Sequence, residues 1–579
     1  MNRINEIFEK DKSLPIISEE DKIELMIEHF LSKGPPVIKN KRKDASRALK
    51  LIKSANDSFK LMRSMYLITI YTEAIMNAPI DSPELARGFA SRSAALCNAR
   101  LFEDSLKDID RAMAIGYPDD LKGALYLRRA KNLLSLDPKM HPEVQEAIAE
   151  ARRLMDKVDV CSEKKIDKAL KKLQQKDSFS EPYKKWDSHK FLPPVPNDNP
   201  LIPRASGGIA LNYNKEFGRH VIATRDIKAG ETLIVARAYV SAVKVDKMAK
   251  FCWYCLQRTW ASIPCNLCIN VVFCSEECRD KAWNEYHDIE CHFLTAIKIE
   301  NVDPTDILSI KMTIKAFKEA GSLEKLKEKV DMLDSMTDVA RSVELLYYLI
   351  KSTKMFGKKI VNLQKPKNNQ WVNFMLKLIF RHKEISHHAV ELRVRKSEYH
   401  APIRSYVLIP LYGFLNHSCD PNFHKMTSGD MNALISTRYI KKGEQIFMNY
   451  GSRFQMMDKW SRAAYLERHN FECHCIPCLK NWGPNSKLPS FMEQPLPNTA
   501  KEFLAVIALD ACQHISKFYN ENLNVDRREK PDSYFLDCIN KFKGFLNFFG
   551  GIVSYPCQEI EDCKQALTDA LKLVDDHSL

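Results

Sequence analysis

Three short motifs in the second half of the chain decide its fold. Residues 416–422 read Asn-His-Ser-Cys-Asp-Pro-Asn, residues 443–451 read Gly-Glu-Gln-Ile-Phe-Met-Asn-Tyr-Gly, and residues 473–478 read Cys-His-Cys-Ile-Pro-Cys. The first and third motifs hold four cysteines between them, and four thiolates complete a tetrahedral zinc site. The predicted ligands are Cys419, Cys473, Cys475 and Cys478. A single metal joining them would fold the chain back and gather three further side chains around one centre, namely Asn416, His417 and Tyr450.

Length and composition predict a multidomain globular protein. A chain of 579 residues is too long for one core and suggests roughly three to five domains. No apolar run approaches the roughly 20 residues of a membrane span. The longest, residues 406–415, is interrupted by Pro410 and Gly413 and predicts a buried strand and turn. The first residues lack the apolar segment of a secretory signal, so we expect the protein to lie in a reducing compartment, in both the cytoplasm and the nucleus. There, 17 cysteines indicate metal rather than disulfides.

The net charge of +14 does not by itself identify a partner. Lys and Arg are spread along amphipathic segments beside many Asp and Glu. The longest basic cluster, residues 39–43, is short and precedes a helical run, so it indicates a solvated helix start, with a nuclear-import or nucleic-acid patch as the alternative. Direct nucleic-acid binding is not expected, whereas acidic protein partners are compatible with the charge.

Residues 1–177 show helical periodicity, and residues 178–204 do not. Within the first segment, residues 88–96 resemble residues 123–130 at an offset of about 35, close to the period of tetratricopeptide repeat (TPR) helix pairs. We therefore predict a TPR-like region, which usually presents a concave surface to a peptide. The second segment contains six prolines, which predicts a semi-extended linker and the main domain boundary.

From residue 209 the pattern changes to short strands. Residues 217–223 and 232–235 are rich in β-branched residues and flank a turn at residues 228–231, which predicts a small antiparallel sheet.

A dense set of metal ligands follows. Four pairs, each separated by two or three intervening residues, fit two tetrahedral zinc sites, and two ions in so short a segment replace an apolar core. The predicted ligands are Cys252, Cys255, Cys265, Cys268, Cys274, Cys278, His287 and Cys291.

The remaining segments are predicted to be helical. From about residue 303 to 395, apolar stripes at 345–350 and 371–376 indicate core positions, and a final helical region runs from about 498 to 579. Its cysteines lack ligand spacing, so we interpret all four as buried thiols: Cys512, Cys538, Cys557 and Cys563.

The ligand spacing at 252–291 resembles a MYND zinc finger. That resemblance implies that Cys252, Cys255, Cys274 and Cys278 hold one ion, and that Cys265, Cys268, His287 and Cys291 hold the other. It also implies a finger that binds proline-containing peptides. The motifs N-H-S-C-x-P-N, G-E-x-I-x-x-x-Y and C-x-C-x2-C resemble a SET domain with its post-SET zinc site. A MYND finger inside a SET domain is typical of the SMYD family, and the helical N-terminus and the G-R-H-V-x-A-T segment at 218–224 resemble its fourth subfamily.

The resemblance implies an α+β multidomain fold. Its parts are a TPR-like helical region (1–177), a Pro-rich linker (178–204), the SET N-terminal part (205–251), the MYND finger (252–291), a helical SET insert (292–400), the SET core (401–452), a post-SET zinc segment (453–480) and a C-terminal helical domain (481–579).

The resemblance also implies a protein-lysine N-methyltransferase that uses S-adenosylmethionine and three zinc ions and acts on histone or non-histone proteins. Tyr450 would be the catalytic tyrosine, whose hydroxyl holds the methyl group. The implied cofactor-binding residues are Gly218, Arg219, His220, Asn416, His417, Tyr450 and Phe471. An apolar lysine channel would favour the neutral amine.

Three departures from the family pattern keep a second hypothesis open. His469 stands where the family usually has a channel tyrosine, residues 388–392 lack the usual asparagine, and the usual Gly-x-Gly ends in His220. The alternative function is a catalytically weak or inactive SET-MYND adaptor or transcriptional co-regulator that acts through protein binding.

Overall fold

The computed structural model describes residues 42–155, 181–296, 302–330, 370–386, 389–393, 403–467, 471–522 and 529–575, apart from residues 60, 140 and 197. Within these ranges, every helix is too short or too polar to span a lipid bilayer.

Helices dominate both ends of the described chain. The α-helices are α1 (Ala45–Asp57), α2 (Ser64–Asn77), α3 (Pro83–Asn98), α4 (Phe102–Ile115), α5 (Asp119–Leu136), α6 (Pro142–Met155), α7 (Glu276–Ala282), α8 (Asp288–Ala296), α9 (Pro304–Ala320), α10 (Leu323–Lys329), α11 (Gln370–Ser386), α12 (Lys459–Leu466), α13 (Ile476–Leu479), α14 (Asn498–Asn522), α15 (Asp532–Ile552) and α16 (Gln558–Val574).

The strands are short and form separate antiparallel sheets. They are β1 (Ile209–Asn214), β2 (Gly218–Ala223), β3 (Thr232–Arg237), β4 (Val240–Val243), β5 (Ile263–Pro264), β6 (Val272–Phe273), β7 (Val390–Arg393), β8 (Ile403–Leu408), β9 (Phe423–Ser428) and β10 (Met431–Ser436). The strand orders are β1-β2, β3-β10-β9, β4-β8-β7 and β5-β6.

The chain divides into two units, and the first contains Met1–Tyr183, Val240–Arg393 and Ile403–Leu408. Its helices α1 to α6 each pack against the next. Helices α2 and α3 approach closely because Gly88 has no side chain, since a Cβ there would lie 2.8 Å from Cγ1 of Ile75. The predicted helical character of this region is confirmed over residues 45–155. Its TPR-like character stays a prediction.

The first unit also holds the cysteine-rich segment. Strands β5 and β6 have only two residues each, and the π-helical turn Trp283–His287 joins α7 to α8. Helix α9 packs against α11 and β4. The stripe at 345–350 lies outside the described residues.

The prediction of helix through residue 395 is wrong at its end. Residues 390–393 form β7, which pairs antiparallel with β8. The physical reason is visible in the sequence, because apolar Val390 and Leu392 alternate with polar Glu391 and Arg393, a period of two rather than 3.6. The predicted strand and turn at 406–415 is confirmed, since β8 ends at Leu408 and a 3₁₀ turn covers Pro410–Phe414.

The second unit contains Lys184–Tyr239, Val394–Pro402 and Ile409–Leu579. Its core joins β3, β9 and β10 to helices α14, α15 and α16 through apolar side chains such as Val235, Met426 and Phe549. The predicted turn before β3 is present, with Gly230 at a φ of 83°, which favours glycine. The two predicted strands that flank the turn lie in separate antiparallel sheets, because β2 pairs with β1 and β3 pairs with β10. A Cβ on Gly230 would also displace the side chain of Lys543 on α15.

The described residues of the proline-rich segment are non-helical apart from a short 3₁₀ turn. The segment packs against α15, since Trp186 stacks on Phe191 at 5.4 Å between ring centroids and both rings contact Phe535.

The interpretation of all four C-terminal cysteines as buried is wrong for Cys512, which is exposed. The buried side of α14 recurs every seventh residue, at Leu504, Ala511 and Phe518, and Cys512 falls beside it. Cys538 is half-buried, whereas Cys557 and Cys563 are buried, and burial raises the pKa of both thiols to about 12.

Candidate active site and zinc clusters

Residues 443–451 are held against residues 416–422 by backbone hydrogen bonds. The Met448 N–H donates to the Asn416 carbonyl, and the Ser418 N–H donates to the Met448 carbonyl, each at 2.9 Å. The fully buried side chain of Asn422 adds two bonds, donating to the Gln445 carbonyl at 2.8 Å and accepting from the Phe447 N–H at 3.0 Å. The two motifs therefore form one rigid element, as the sequence hypothesis required.

His417 links the motif pair to the third motif. Its Nδ1 accepts the Tyr450 backbone N–H at 3.0 Å, so the proton of the neutral ring is on Nε2. That Nε2–H lies 3.4 Å from Sγ of Cys419. One imidazole thus fixes the backbone of Tyr450 relative to a predicted zinc ligand.

Contacts with neighbouring residues fix both the hydroxyl and the ring of Tyr450. Its hydroxyl donates to the Leu415 carbonyl at 2.9 Å, and its ring lies beside the rings of His417 and Phe471, with centroid distances of 5.1 and 6.1 Å. Burial raises the pKa of the Tyr450 hydroxyl, so it is protonated at neutral pH. The next residue, Gly451, has a φ of 119°, and a Cβ there would collide with the Tyr465 hydroxyl.

These side chains line a cavity of about 1030 Å³ in the second unit. Four of the predicted cofactor-binding residues share its wall, namely Asn416, His417, Tyr450 and Phe471. Among the lining residues that the sequence did not indicate are Glu216 and Phe217, in the turn between β1 and β2. The Asn416 amide donates to the Phe217 carbonyl at 3.1 Å, which brings this turn to the cavity.

The other predicted cofactor residues lie beside the cavity rather than on its wall. Gly218 has a φ of 62° and begins β2, Arg219 is exposed with its guanidinium over the Phe414 ring, and buried His220 directs Nδ1 to the Gly218 carbonyl at 2.9 Å. Their assignment to the cofactor stays a prediction. His469, the predicted channel residue, lies outside the described residues.

The cavity extends along a second wall that the sequence gave no reason to expect. Arg438 and Tyr439 contribute from the segment after β10, and Ser554 and Tyr555 contribute from the segment between α15 and α16. No motif or spacing marks these residues, because they meet only through tertiary packing.

A buried ionic cluster fixes this second wall to the first motif. Asp420 accepts a hydrogen bond from the Tyr555 hydroxyl at 2.5 Å and pairs with Lys564, which also lies 3.1 Å from Glu561. Burial alone would raise the pKa of Asp420, but Lys564 and Arg438 hold it below its usual value. The residue next to Cys419 is therefore anchored to α16.

The structure gathers the predicted metal ligands into three groups of four. Within each group the ligand atoms lie within 4.8 Å of one another. The groups are Cys252, Cys255, Cys274 and Cys278; Cys265, Cys268, His287 and Cys291; and Cys419, Cys473, Cys475 and Cys478. They are the same three sets that the sequence and the resemblance indicated.

The spacing within each group fits zinc. A tetrahedron with Zn–S bonds of about 2.3 Å has edges of roughly 3.8 Å. Sulfur–sulfur distances are 3.6 Å for Cys255–Cys274, 3.8 Å for Cys265–Cys291 and 3.6 Å for Cys419–Cys478. The thiolate-rich donor sets are also those that zinc prefers.

Hydrogen bonds and charges next to the ligands also favour zinc binding. The His287 Nδ1 lies 2.8 Å from Oε2 of Glu290, which leaves Nε2 free to bind a metal. Glu290 also accepts the Trp253 indole N–H at 2.8 Å and lies 3.4 Å from Nζ of Lys311 on α9. In the third group, the buried guanidinium of Arg462 lies 3.7 Å from Sγ of Cys478.

The sequence is similar to those of several known proteins. The SET domain family matches residues 218–451. A "Protein-lysine N-methyltransferase SMYD4" from Gallus gallus is 34% identical over 251 residues, which cover 39% of this chain and 34% of that protein. The "SET domain and MYND-type zinc finger protein 6" of Schizosaccharomyces pombe is 23% identical over 270 residues, 45% of this chain and 50% of that protein.

The chain is similar to proteins of the SMYD family. The similarity rests on the combination of a SET match with two zinc-capable groups of MYND spacing inside it. Relatives named SMYD4 confirm the resemblance to the fourth subfamily, and the human protein of that name is 28% identical over 275 residues, 43% of this chain and 34% of that protein.

The chain spans about a third of the length of the SMYD4 relatives it matches. A crystal structure of the SET domain of LSMT bound to lysine and AdoHcy covers 64% of this chain and 86% of its own, but with a TM-score of 0.19 and 13% identity it supports no conclusion.

Proposed function

We propose that this protein is an S-adenosylmethionine-dependent protein-lysine N-methyltransferase that acts on histone or non-histone proteins. The observation that carries the proposal is the convergence of Asn416, His417, Tyr450 and Phe471 on one cavity. The match to the SET domain family and the names of the SMYD4 relatives support the same activity.

The residues around the cavity fit the proposed cofactor. Phe471 is an aromatic ring that can stack on a purine, and Asn416 offers an amide for polar groups. Electronegative oxygens suit a positively charged sulfonium, and two stand together here, the Tyr450 hydroxyl and the Leu415 carbonyl. When bound, S-adenosylmethionine would supply an activated methyl group.

The protein's contribution to the reaction is positioning more than acid–base chemistry. A neutral lysine amine would take the methyl group from the bound cofactor, whose sulfur would leave with the bonding electron pair as a neutral thioether, and the methylated amine would then lose a proton to water. Tyr450 holds its hydroxyl oxygen at a fixed point because Leu415 accepts its proton and His417 fixes its backbone. That oxygen can then orient the methyl group.

The test is a transfer assay with the zinc-loaded full chain. Labelled S-adenosylmethionine should methylate proteins of a cell lysate, and Tyr450→Phe should abolish the labelling. Tyr519→Phe is the matched control, because it removes a hydroxyl that bonds Asp569 on the surface of the C-terminal helices. Absence of labelling by the folded, zinc-loaded wild-type chain in a lysate of unmethylated proteins would overturn the proposal.

One observation favours the adaptor function as a second candidate. In the first unit, the finger is joined to the helices by buried polar contacts, since Arg92 donates to the Ser262 carbonyl and Arg111 to the Ala261 carbonyl, each at 2.6 Å. Such a joint presents finger and helices to a partner as one rigid surface. If the protein acts only as an adaptor, the Tyr450→Phe variant should keep its cellular effects. If it acts as an enzyme, the variant should lose them.

A further inference from the structure

The side of the cavity that is built from the sequence motifs carries negative charge. Glu216 lies next to Phe217 in the turn between β1 and β2 and lines the cavity. Glu472 also lines it and follows Phe471, whose ring lies 6.1 Å from the ring of Tyr450. Both carboxylates are exposed, and neither forms an ion pair with a described residue. This motif side of the cavity therefore attracts cations.

The second wall of the same cavity carries a lysine, Lys441, in the segment after β10 that also contains Arg438. Lys441 is exposed, and among the described residues its ammonium group has no ion-pair partner. Asp226 attracts it electrostatically. That carboxylate already accepts hydrogen bonds from the Tyr439 hydroxyl and the Lys442 N–H, each at 2.9 Å. The Lys441 ammonium is therefore available to an anion inside the cavity.

Arg438 adds a fixed hydrogen-bond donor to this second wall. Its side chain is held by Glu444, which accepts from both terminal nitrogens, and by the Tyr555 ring, whose centroid lies 4.8 Å from Cζ. Arg438 is only 8% exposed, and its Nε–H has no acceptor among the described residues. A buried donor without an acceptor costs free energy. A ligand that supplies an acceptor here therefore gains a hydrogen bond that the folded chain leaves unmade.

We propose that the second wall binds an aspartate or glutamate side chain of the protein substrate, close in sequence to the lysine that is methylated. This inference rests on the proposed methyl transfer and adds its substrate class, a lysine with a carboxylate nearby. A carboxylate accepts several hydrogen bonds at once, so it can meet both the Lys441 ammonium and the Arg438 Nε–H. The Ser554 hydroxyl is a third donor on the same wall.

The opposite charges of the two walls also set the orientation of the bound segment. The substrate lysine reaches Tyr450 on the side of Glu216 and Glu472, and the acidic residue then faces Lys441. A segment bound in the reverse orientation would place like charges together at both walls, which is unfavourable. A lysine or arginine in place of the acidic residue would be repelled by Lys441. Electrostatic complementarity of this kind selects substrates and fixes their register.

The test maps the lysines that the zinc-loaded full chain methylates in a lysate of unmethylated proteins supplied with labelled S-adenosylmethionine. Mass spectrometry identifies each labelled lysine and the residues that flank it. Aspartate and glutamate should be enriched at a fixed distance from the labelled lysine by at least about threefold over unlabelled lysines. Lys441→Glu reverses the charge of the second wall and should change this preference to lysine or arginine at the same distance. A merely structural role of Lys441 would not reverse the preference.

Lys442→Glu is the matched control, because Lys442 is the adjacent exposed lysine and does not line the cavity. It should keep the preference of the wild type. If Lys441→Glu labels no protein, Lys441→Gln is the second variant and should lower the acidic enrichment without reversing it.

The outcomes separate this inference from the proposed function. Labelled lysines without acidic enrichment, an unchanged preference in Lys441→Glu, or loss of all labelling in Lys441→Gln would overturn the role of the second wall alone. Absence of any labelling by the wild type would overturn methyl transfer itself, and this inference with it.

Discussion

The hydroxyl of Tyr450 donates a hydrogen bond to the backbone carbonyl of Leu415 at 2.9 Å. Replacement of Tyr450 by phenylalanine removes this bond and the hydroxyl oxygen but keeps the ring between His417 and Phe471. We therefore expect Tyr450→Phe to lose methyl transfer by at least about 100-fold while binding of S-adenosylmethionine changes only a few-fold. Single-turnover transfer and calorimetric titration measure the two quantities. Unchanged transfer would contradict the catalytic role.

The contact between Asp420 and α16 should be essential for folding of the second unit. Lys564→Met leaves the buried carboxylates of Asp420 and Glu561 facing each other, which costs about 3–5 kcal/mol in the free energy of unfolding. Thermal denaturation should show a clear fall in Tm. Addition of Asp420→Asn to Lys564→Met should recover part of this loss, because it removes one uncompensated charge. Equal stability of Lys564→Met and the wild type would show that the cluster contributes nothing.

The third metal site should be coupled to the cofactor cavity through His417. Cys475→Ser removes one ligand of this group and should lower the zinc content by one ion per chain, and S-adenosylmethionine binding should weaken with it. Elemental analysis and titration measure both effects. Cys512→Ser is the matched control, since that thiol is exposed and belongs to none of the three groups. Full cofactor affinity in a Cys475→Ser chain that lacks the ion would exclude the coupling.

Glu290 should strengthen zinc binding in the finger although it is not a ligand. Glu290→Gln weakens the bonds that it accepts from His287 and Trp253, and loss of such a partner typically lowers metal affinity by about 10–100-fold. Competition with a chelator measures the affinity. Glu277→Gln changes an exposed carboxylate that pairs with Lys281, and it should leave the affinity unchanged. The same chelator sensitivity in both variants would refute the role of Glu290.

His382 should make the first unit sensitive to mild acid. Burial lowers its pKa to about 4, below the usual 6.5. Above pH 6.5 the ring is neutral in both the folded and the unfolded state, so it has no effect on stability. As the pH falls towards 4, only the unfolded state takes up the proton, and folding loses on the order of 3 kcal/mol. The difference in unfolding free energy between His382→Gln and the wild type should therefore shift in favour of the variant across this range. A difference that does not vary with pH would contradict the assignment.

The zinc ligands were predictable from the sequence, because ligands separated by two or three residues can reach one ion from a single turn of chain. That spacing suggested two ions in the finger, and the count of four thiolates in a tetrahedral site joined Cys419 to the last three cysteines. The cavity wall was predictable only on the side built from the motifs. Tyr555 lies 135 residues from Asp420, and no local pattern reveals such a contact.

Other errors have similarly physical causes. Residues 390–393 form a strand because they pair with β8, and a segment of only four residues gives a weak period-two signal. The exposure of Cys512 depends on which side of α14 packs on the core. The docking of Trp186 could not be read from residue types, since it depends on which neighbours tertiary folding supplies.

The most direct test of the proposed function is a calorimetric titration of the zinc-loaded full chain with S-adenosylmethionine. We expect saturable binding of one molecule per chain that is lost when Asn416 or Phe471 is replaced by alanine, since both line the cavity. Absence of measurable binding to folded protein that carries its full zinc complement would contradict the central claim that residues 416–478 form a methyl-transfer site.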